Sequence, residues 1–202
     1  MCINKILKKG FNKLGVDVRL VSNIRVANRR SWVEKWVEQW RFLHNYDIKT
    51  ILDIGANTGQ FASMIHKVCP SAQIYSFEAL PDCFKELEKN IVKLQKVKAF
   101  NLALGDESGN VKMNQSEFSP SSSLLEMGDL HKRDWPESIA NTKQEIRMER
   151  LDNVAVNMEI MPDLLIKIDV QGYEDKVIQG GIQTIDQAKL VITEINFEEL
   201  YR

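Results

Sequence analysis

The segment LDIGANTGQF, residues 52–61, constrains this chain more than any other stretch. An apolar run (Ile48, Ile51, Leu52, Ile54) carries Asp53 near its end. Gly55 and Gly59 follow with Asn57 between them, and a helical pattern begins at once. A strand that turns on glycine into a helix presents backbone amides at the helix start, the usual geometry for cradling a phosphate or nucleoside.

The remainder of the chain extends this reading. Strands are predicted at 50–54, 73–77 (QIYSF), 97–103 (VKAFNLA), 163–169 (DLLIKID) and 189–195 (KLVITEI), and helices at 59–69, 82–95 and 174–187. The first, fourth and fifth strands are nearly continuous apolar runs, as parallel strands covered on both faces are. Pro81 stands at the start of the second helix, where a missing N–H is not needed. Alternation of strand and helix predicts an α/β fold with a doubly wound, mostly parallel, Rossmann-like sheet. Residues 104–162 are too long for one crossover, and VKMNQS (111–116) and KQEIRMERL (143–151) read as strands of an insertion that also carries a Ser-rich loop. Ahead of the sheet, residues 31–46 read as a helix capped by Ser31, with Trp32, Trp36 and Trp40 recurring every fourth position on the face that docks. The expected division is a basic arm and Trp-rich helix over 1–49 and a domain over 50–202.

Composition excludes several classes. The formal net charge is −1, which gives no general attraction for nucleic acid. The charge is uneven, however: residues 1–50 hold 11 Lys and Arg against 4 Asp and Glu. Such an arm reads either as a solvated basic helix or as a peripheral contact with anionic membrane through Lys5, Lys8, Lys9 and Lys13. Cys2, Cys69 and Cys83 form no CxxC pair, which argues against zinc and for a reduced, cytoplasmic setting. No stretch approaches the ~18 apolar residues of a membrane span.

The glycine turn can be read more narrowly. A dinucleotide fingerprint wants glycine at 57 and 60, where the chain has Asn57 and Gln60, and a P-loop wants a lysine that is missing. The remaining pattern, D-x-G-x-N-x-G, lets a ligand lie against the backbone at a helix N-terminus, where amides bind a carboxylate as readily as a phosphate. Glu78 ends the second strand, placed to accept hydrogen bonds from both hydroxyls of a ribose. A ribose with a carboxylate and no required pyrophosphate points to S-adenosylmethionine.

The segments DIGANTGQFA, YSFEALPDCFKELEKN, NLALGDESG, SSSLLE, ERLDN, LLIKIDVQGYEDKVIQGG and VITEINFEELY together resemble the FkbM-type S-adenosylmethionine-dependent methyltransferase family over about residues 50–201. The resemblance implies an O-methyltransferase acting on a hydroxyl of a sugar, glycolipid, polyketide or related small-molecule product. It implies that the turn Asp53, Gly55, Ala56, Asn57 and Gly59, with Phe61, holds the methionine part of the cofactor. Glu78 with Ala79 would take the ribose, and Ala103, Leu104 and Asp106 the adenine. The Ser121–Ser123 cluster matches the family's serines, and a flexible loop explains it equally well. Methyltransferase sheets of this type continue past the fifth strand into a helix and hairpin, which this sequence lacks. A catalytically silent protein binding nucleoside or a partner, including a second copy, is therefore the alternative function.

Three residues are candidates for the chemistry. Asp169, at the end of the fourth strand, reaches the carboxyl edge of the sheet and is the expected general base or acceptor-orienting residue. Its structural alternative is to cap the helix near Glu174 or to shape the Gly172 turn. Glu194 ends the fifth strand at the same edge, and His131 lies in the insertion near Trp135. Their spacing carries no metal signal, so no metal is expected.

Overall fold

The computed structural model describes residues 29–116, 123–125 and 140–195. The chain divides into two units, Met1–Lys35 and Trp36–Arg202. The helix α1 (Arg29–Trp40) begins two residues before Ser31, so that serine is not its cap, and it passes at Arg41 into a 3-10 turn ending at Tyr46. Trp36 and Trp40 pack against the core, and the Trp40 ring meets Phe61 edge-on with centroids 5.7 Å apart. The predicted docking face is present at these two tryptophans; the basic arm, Lys5 to Lys13, lies outside the described residues.

Five strands form the main sheet: β1 (Thr50–Ile54), β2 (Gln73–Glu78), β3 (Val97–Asn101), β7 (Leu164–Ile168) and β8 (Ala188–Thr193), in the order β3-β2-β1-β7-β8 and all parallel. Every residue of β1 is buried, and β7 is buried except at Lys167. Apolar runs of this kind are forced by helices on both faces. Strand order reverses on either side of β1, so the crevice beyond the carboxyl ends of β1 and β7 is where such sheets take ligands.

The helices follow the apolar spacing. In α2 (Gln60–Val68) Phe61, Ala62, Met64, Ile65 and Val68 are buried, and in α3 (Pro81–Ile91) Cys83, Leu87 and Ile91. Repeats of three and four put these side chains on one stripe facing the sheet. Pro81 is the first residue of α3 and Asp82 lies in its first turn, both favourable at a helix N-terminus. The final predicted helix is two: α5 (Glu174–Gly180) and α6 (Ile182–Asp186) meet at Gly181, where a Cβ would come within 2.6 Å of Leu151.

The insertion is a second sheet. The reading of 97–103 as one strand is corrected: after Asn101 the chain leaves the main sheet, and β4 (Ala103–Gly105) pairs instead with β6 (Ala140–Arg150). β6 also pairs antiparallel with β5 (Gly109–Ser116), and a short helix α4 (Leu151–Ala155) returns the chain toward β7. A small core of Ala103, Ile146 and Met148 joins this sheet to Ala79 and Tyr173. Among the described residues no helix is long and apolar enough to cross a membrane.

Candidate active site

Asp53 is fully buried near the end of β1, and its nearest cation is Lys167 on the neighbouring β7, with Nζ 3.1 Å from Oδ1. Ser76 Oγ donates to Oδ2 at 3.4 Å, a long bond. Burial pushes the Asp53 carboxyl above its ordinary range, against the opposing pull of Lys167. Burial acts on Lys167 in the other direction, yet the charges of Asp53 and Asp169 outweigh it and hold the ammonium above the usual lysine range. The pair is best described as a carboxylate kept in an apolar strand by one protonated amine.

The glycine turn closes on itself. Gly55 and Ala56 donate their amides to the Phe77 carbonyl, Gly59 donates to Ala56, and Thr58 donates to the Asn57 side chain at 2.7 Å. Asn57 and Gly59 both have positive φ, 49° and 88°. Gly55 is needed for a closer reason: a Cβ there would sit 1.9 Å from the Asp169 carbonyl oxygen. The amides of Gly55, Ala56, Thr58 and Gly59 are thus bonded within the turn and to the end of β2.

Glu78 supplies the link between strands. Its Oε2 accepts the Asn57 amide and its Oε1 the Leu80 amide, both at 2.8 Å. Burial raises its carboxyl above the ordinary glutamate value, with these amides acting in opposition. Each oxygen keeps a further lone pair, so a hydroxyl donor can still be received. Asn101, at the end of β3, fastens the same corner by donating to the carbonyls of Glu78 and Ala79 at 2.9 Å each.

At the carboxyl end of β7 the Asp169 amide donates to the Ile54 carbonyl at 3.1 Å. Its carboxylate lies 3.5 Å from Lys167 Nζ and accepts Gln171 Nε2 at 2.9 Å. The same Gln171 nitrogen donates to Glu194 at 3.1 Å, so one amide group joins the two acidic candidates. Burial, then the charges of Asp169 and Glu174, raise the Glu194 carboxyl. The Gly172 turn is shaped by Glu174, whose carboxylate accepts the amides of Val170 at 3.0 Å and Gly172 at 2.9 Å, and the helix from Glu174 has no side-chain cap. Gln171 and Gly172 take positive φ, 56° and 97°, in the turn so closed. Ser123, buried, donates to the Gln171 carbonyl at 2.6 Å and ties the insertion to this turn.

The remaining candidates are placed as follows. Phe61 is a core residue, its ring between Trp40 and the Lys167 ammonium, 5.4 Å away. Leu104 shares a buried cluster with Leu52 and Ile54, and Ala79 and Ala103 meet in the small core beside Tyr173. Asp106 faces Lys176 at 3.4 Å, while its carbonyl accepts Arg150. His131, Ser121 and Ser122 lie outside the described residues. Among the described residues no group of three His, Cys, Asp or Glu is placed to hold a metal. Lys167, Gln171 and Glu174 are not marked as site residues by any motif in the sequence; the single charge inside LLIKI is the signal for Lys167.

A family model described as the methyltransferase FkbM domain matches residues 53–202. The chain is 29% identical over 167 residues to the 2-O-methyltransferase NoeI of Sinorhizobium fredii, covering 75% of this chain and 65% of that one. It is 27% identical over 166 residues to methyltransferase sdnD of Sordaria araneosa, covering 78% and 63%. The chain therefore spans 65% and 63% of the length of these curated relatives. Among solved structures, a methyltransferase FkbM from Methylobacillus flagellatus matches with a TM-score of 0.48 and 14% identity, over 83% of this chain and 45% of that one.

Proposed function

Because the chain belongs to the FkbM methyltransferase family, we propose that it is an S-adenosylmethionine-dependent O-methyltransferase whose acceptor is a hydroxyl of a carbohydrate, glycolipid or secondary metabolite. One observation carries the reading: Glu78, Asp53 and Asp169 stand at the carboxyl ends of adjacent strands β2, β1 and β7, around the point where strand order reverses. This donor-poor, carboxylate-rich set suits a ligand that brings hydroxyls and positive charge. The relative named a 2-O-methyltransferase supports oxygen as the atom methylated.

The cofactor, when bound, supplies a methyl group already activated on a sulfonium. Glu78 would hold the ribose through the lone pairs left over from the Asn57 and Leu80 amides. The turn from Asp53 to Gly59 would hold the methionine portion. Asp169 orients the acceptor hydroxyl and receives its proton on a carboxylate oxygen as the oxygen attacks. Gln171 keeps that carboxylate at a fixed distance from Glu194.

Titration calorimetry of the folded chain with S-adenosylhomocysteine tests the cofactor assignment, and transfer of a labelled methyl group to a panel of sugars and glycolipids tests the acceptor class. Binding that weakens in Glu78→Ala is expected. Absence of any binding to the folded wild-type chain would overturn the reading.

A further inference from the structure

Lys167 is the one charged residue of β7, and its side chain is only 12% exposed. The ammonium lies 3.1 Å from Asp53 Oδ1 on β1, 3.0 Å from the Gly55 carbonyl oxygen and 3.5 Å from Asp169 Oδ2. Gly55 opens the glycine turn, and Asp169 is the carboxylate across the crevice from it. One cation thus links the glycine turn to Asp169.

We propose that Lys167 is a positioning residue, whose charge holds the glycine turn and Asp169 at the separation that cofactor binding requires. This rests on the cofactor reading given above. The role needs charge rather than bulk. The Gly55 carbonyl, whose own amide is spent on Phe77, points at the ammonium, and only a donor keeps it there. Among the described residues Lys167 is the cation paired with Asp53, so removing the amine takes the counter-charge from a buried carboxylate. The Phe61 ring, 5.4 Å from the nitrogen on the α2 side, closes the remaining approach. A methionine in place of the lysine fills the same space and restores neither the bond to the Gly55 carbonyl nor the charge beside Asp53 and Asp169.

The charged groups that face this ammonium are Asp53 from β1 and Asp169 from its own strand end; Glu78 on β2 and Glu194 after β8 act on the cluster from farther away. Removal of the ammonium makes Asp53 harder to ionise, so the loss of stability grows as pH rises and shrinks as pH falls and the carboxyl takes a proton. A loss due to packing alone has no such slope.

The test uses the full chain as wild type, Lys167→Arg, Lys167→Met and the double variant Asp53→Asn with Lys167→Met. Each is titrated with S-adenosylhomocysteine by calorimetry and unfolded in urea at several pH values. Lys167→Met is expected to bind roughly tenfold or more weakly, and Lys167→Arg within about threefold of wild type. The urea-midpoint deficit of Lys167→Met should narrow as pH is lowered. If Lys167→Met does not fold, the double variant, which has no unpaired buried charge, is expected to fold and to bind roughly tenfold more weakly than wild type. Wild-type affinity in folded Lys167→Met or in the double variant, or a deficit that ignores pH, would overturn the positioning role while leaving the cofactor reading intact. A wild-type chain that binds no S-adenosylhomocysteine would overturn both.

Discussion

Glu78 Oε2 accepts the Asn57 amide at 2.8 Å, which makes the end of β2 and the turn after β1 a single unit. Asn57 is held at a φ of 49°, and a second amide, from Leu80, binds the other carboxylate oxygen. A group that must shape the turn and receive a ligand cannot be altered for one purpose alone.

Replacing Glu78 with alanine is predicted to leave the two amides without acceptors, at about 1–3 kcal/mol for each that stays buried. Cofactor binding should fall along with the urea midpoint. Glu78→Gln retains one acceptor oxygen and should lose less of both. Equal midpoints for wild type and Glu78→Ala would show that the two bonds contribute nothing.

Gly55→Ala is predicted to damage the fold before it damages chemistry. Its Cβ would lie 1.9 Å from the Asp169 carbonyl oxygen, backbone that cannot swing aside, at a φ of 77°. Separation of β1 from β7 is the only relief, and about 2–4 kcal/mol is the expected destabilisation. Thermal melting followed by circular dichroism measures it. A variant that melts with wild type would contradict the close approach.

Glu174→Gln is predicted to divide binding from turnover. The carboxylate closes the turn after Asp169 by accepting two amides, from Val170 and Gly172, and neither bond involves the glycine turn. A glutamine can accept only on its single oxygen, so Gln171 and Asp169 lose their fixed placement. S-adenosylhomocysteine affinity should stay near wild type while labelled methyl transfer drops by roughly tenfold or more. Loss of affinity equal to the loss of transfer would argue that the turn serves the cofactor instead.

Glu194 is predicted to titrate above an ordinary glutamate, because burial and the neighbouring charges of Asp169 and Glu174 disfavour its ionised form. A carboxyl whose folded value is raised contributes stability that is fully present below its unfolded value, and that contribution is lost as pH rises through the folded value. Carbon-13 titration of the side-chain carboxyl reads the value directly. In Glu194→Gln, the fall in stability over that window should be shallower than in wild type. A titration at or below the ordinary glutamate value would remove this expectation.

The periodicity of single segments carried the helices and strands well, because each buried stripe is written locally. Phe61, Met64, Ile65 and Val68 line one face of α2 as their spacing requires, and the apolar runs of β1 and β7 are buried as parallel strands should be. It failed where the chain changes partner. VKAFNLA is one apolar stretch, yet Asn101 ends β3 and Ala103 enters another sheet, since strand pairing depends on residues far away at 140–150. The broken helix at Gly181 likewise answers to Leu151, which lies far off in sequence.

The candidate site divides in the same manner. Local sequence determined the strand–turn–helix at Asp53 to Gly59, the acidic residue ending β2 and the carboxylate ending β7, because each is a short segment with its own backbone demands. Only the tertiary structure decided what those groups meet. It turned the amides of residues 55–59 inward and gave the closing of the Gly172 turn to Glu174 instead of Asp169. It also set Lys167 between Asp53, Gly55 and Asp169. Those contacts join strands more than a hundred residues apart, and a buried charge acquires a role only when the fold brings its counter-charges to it.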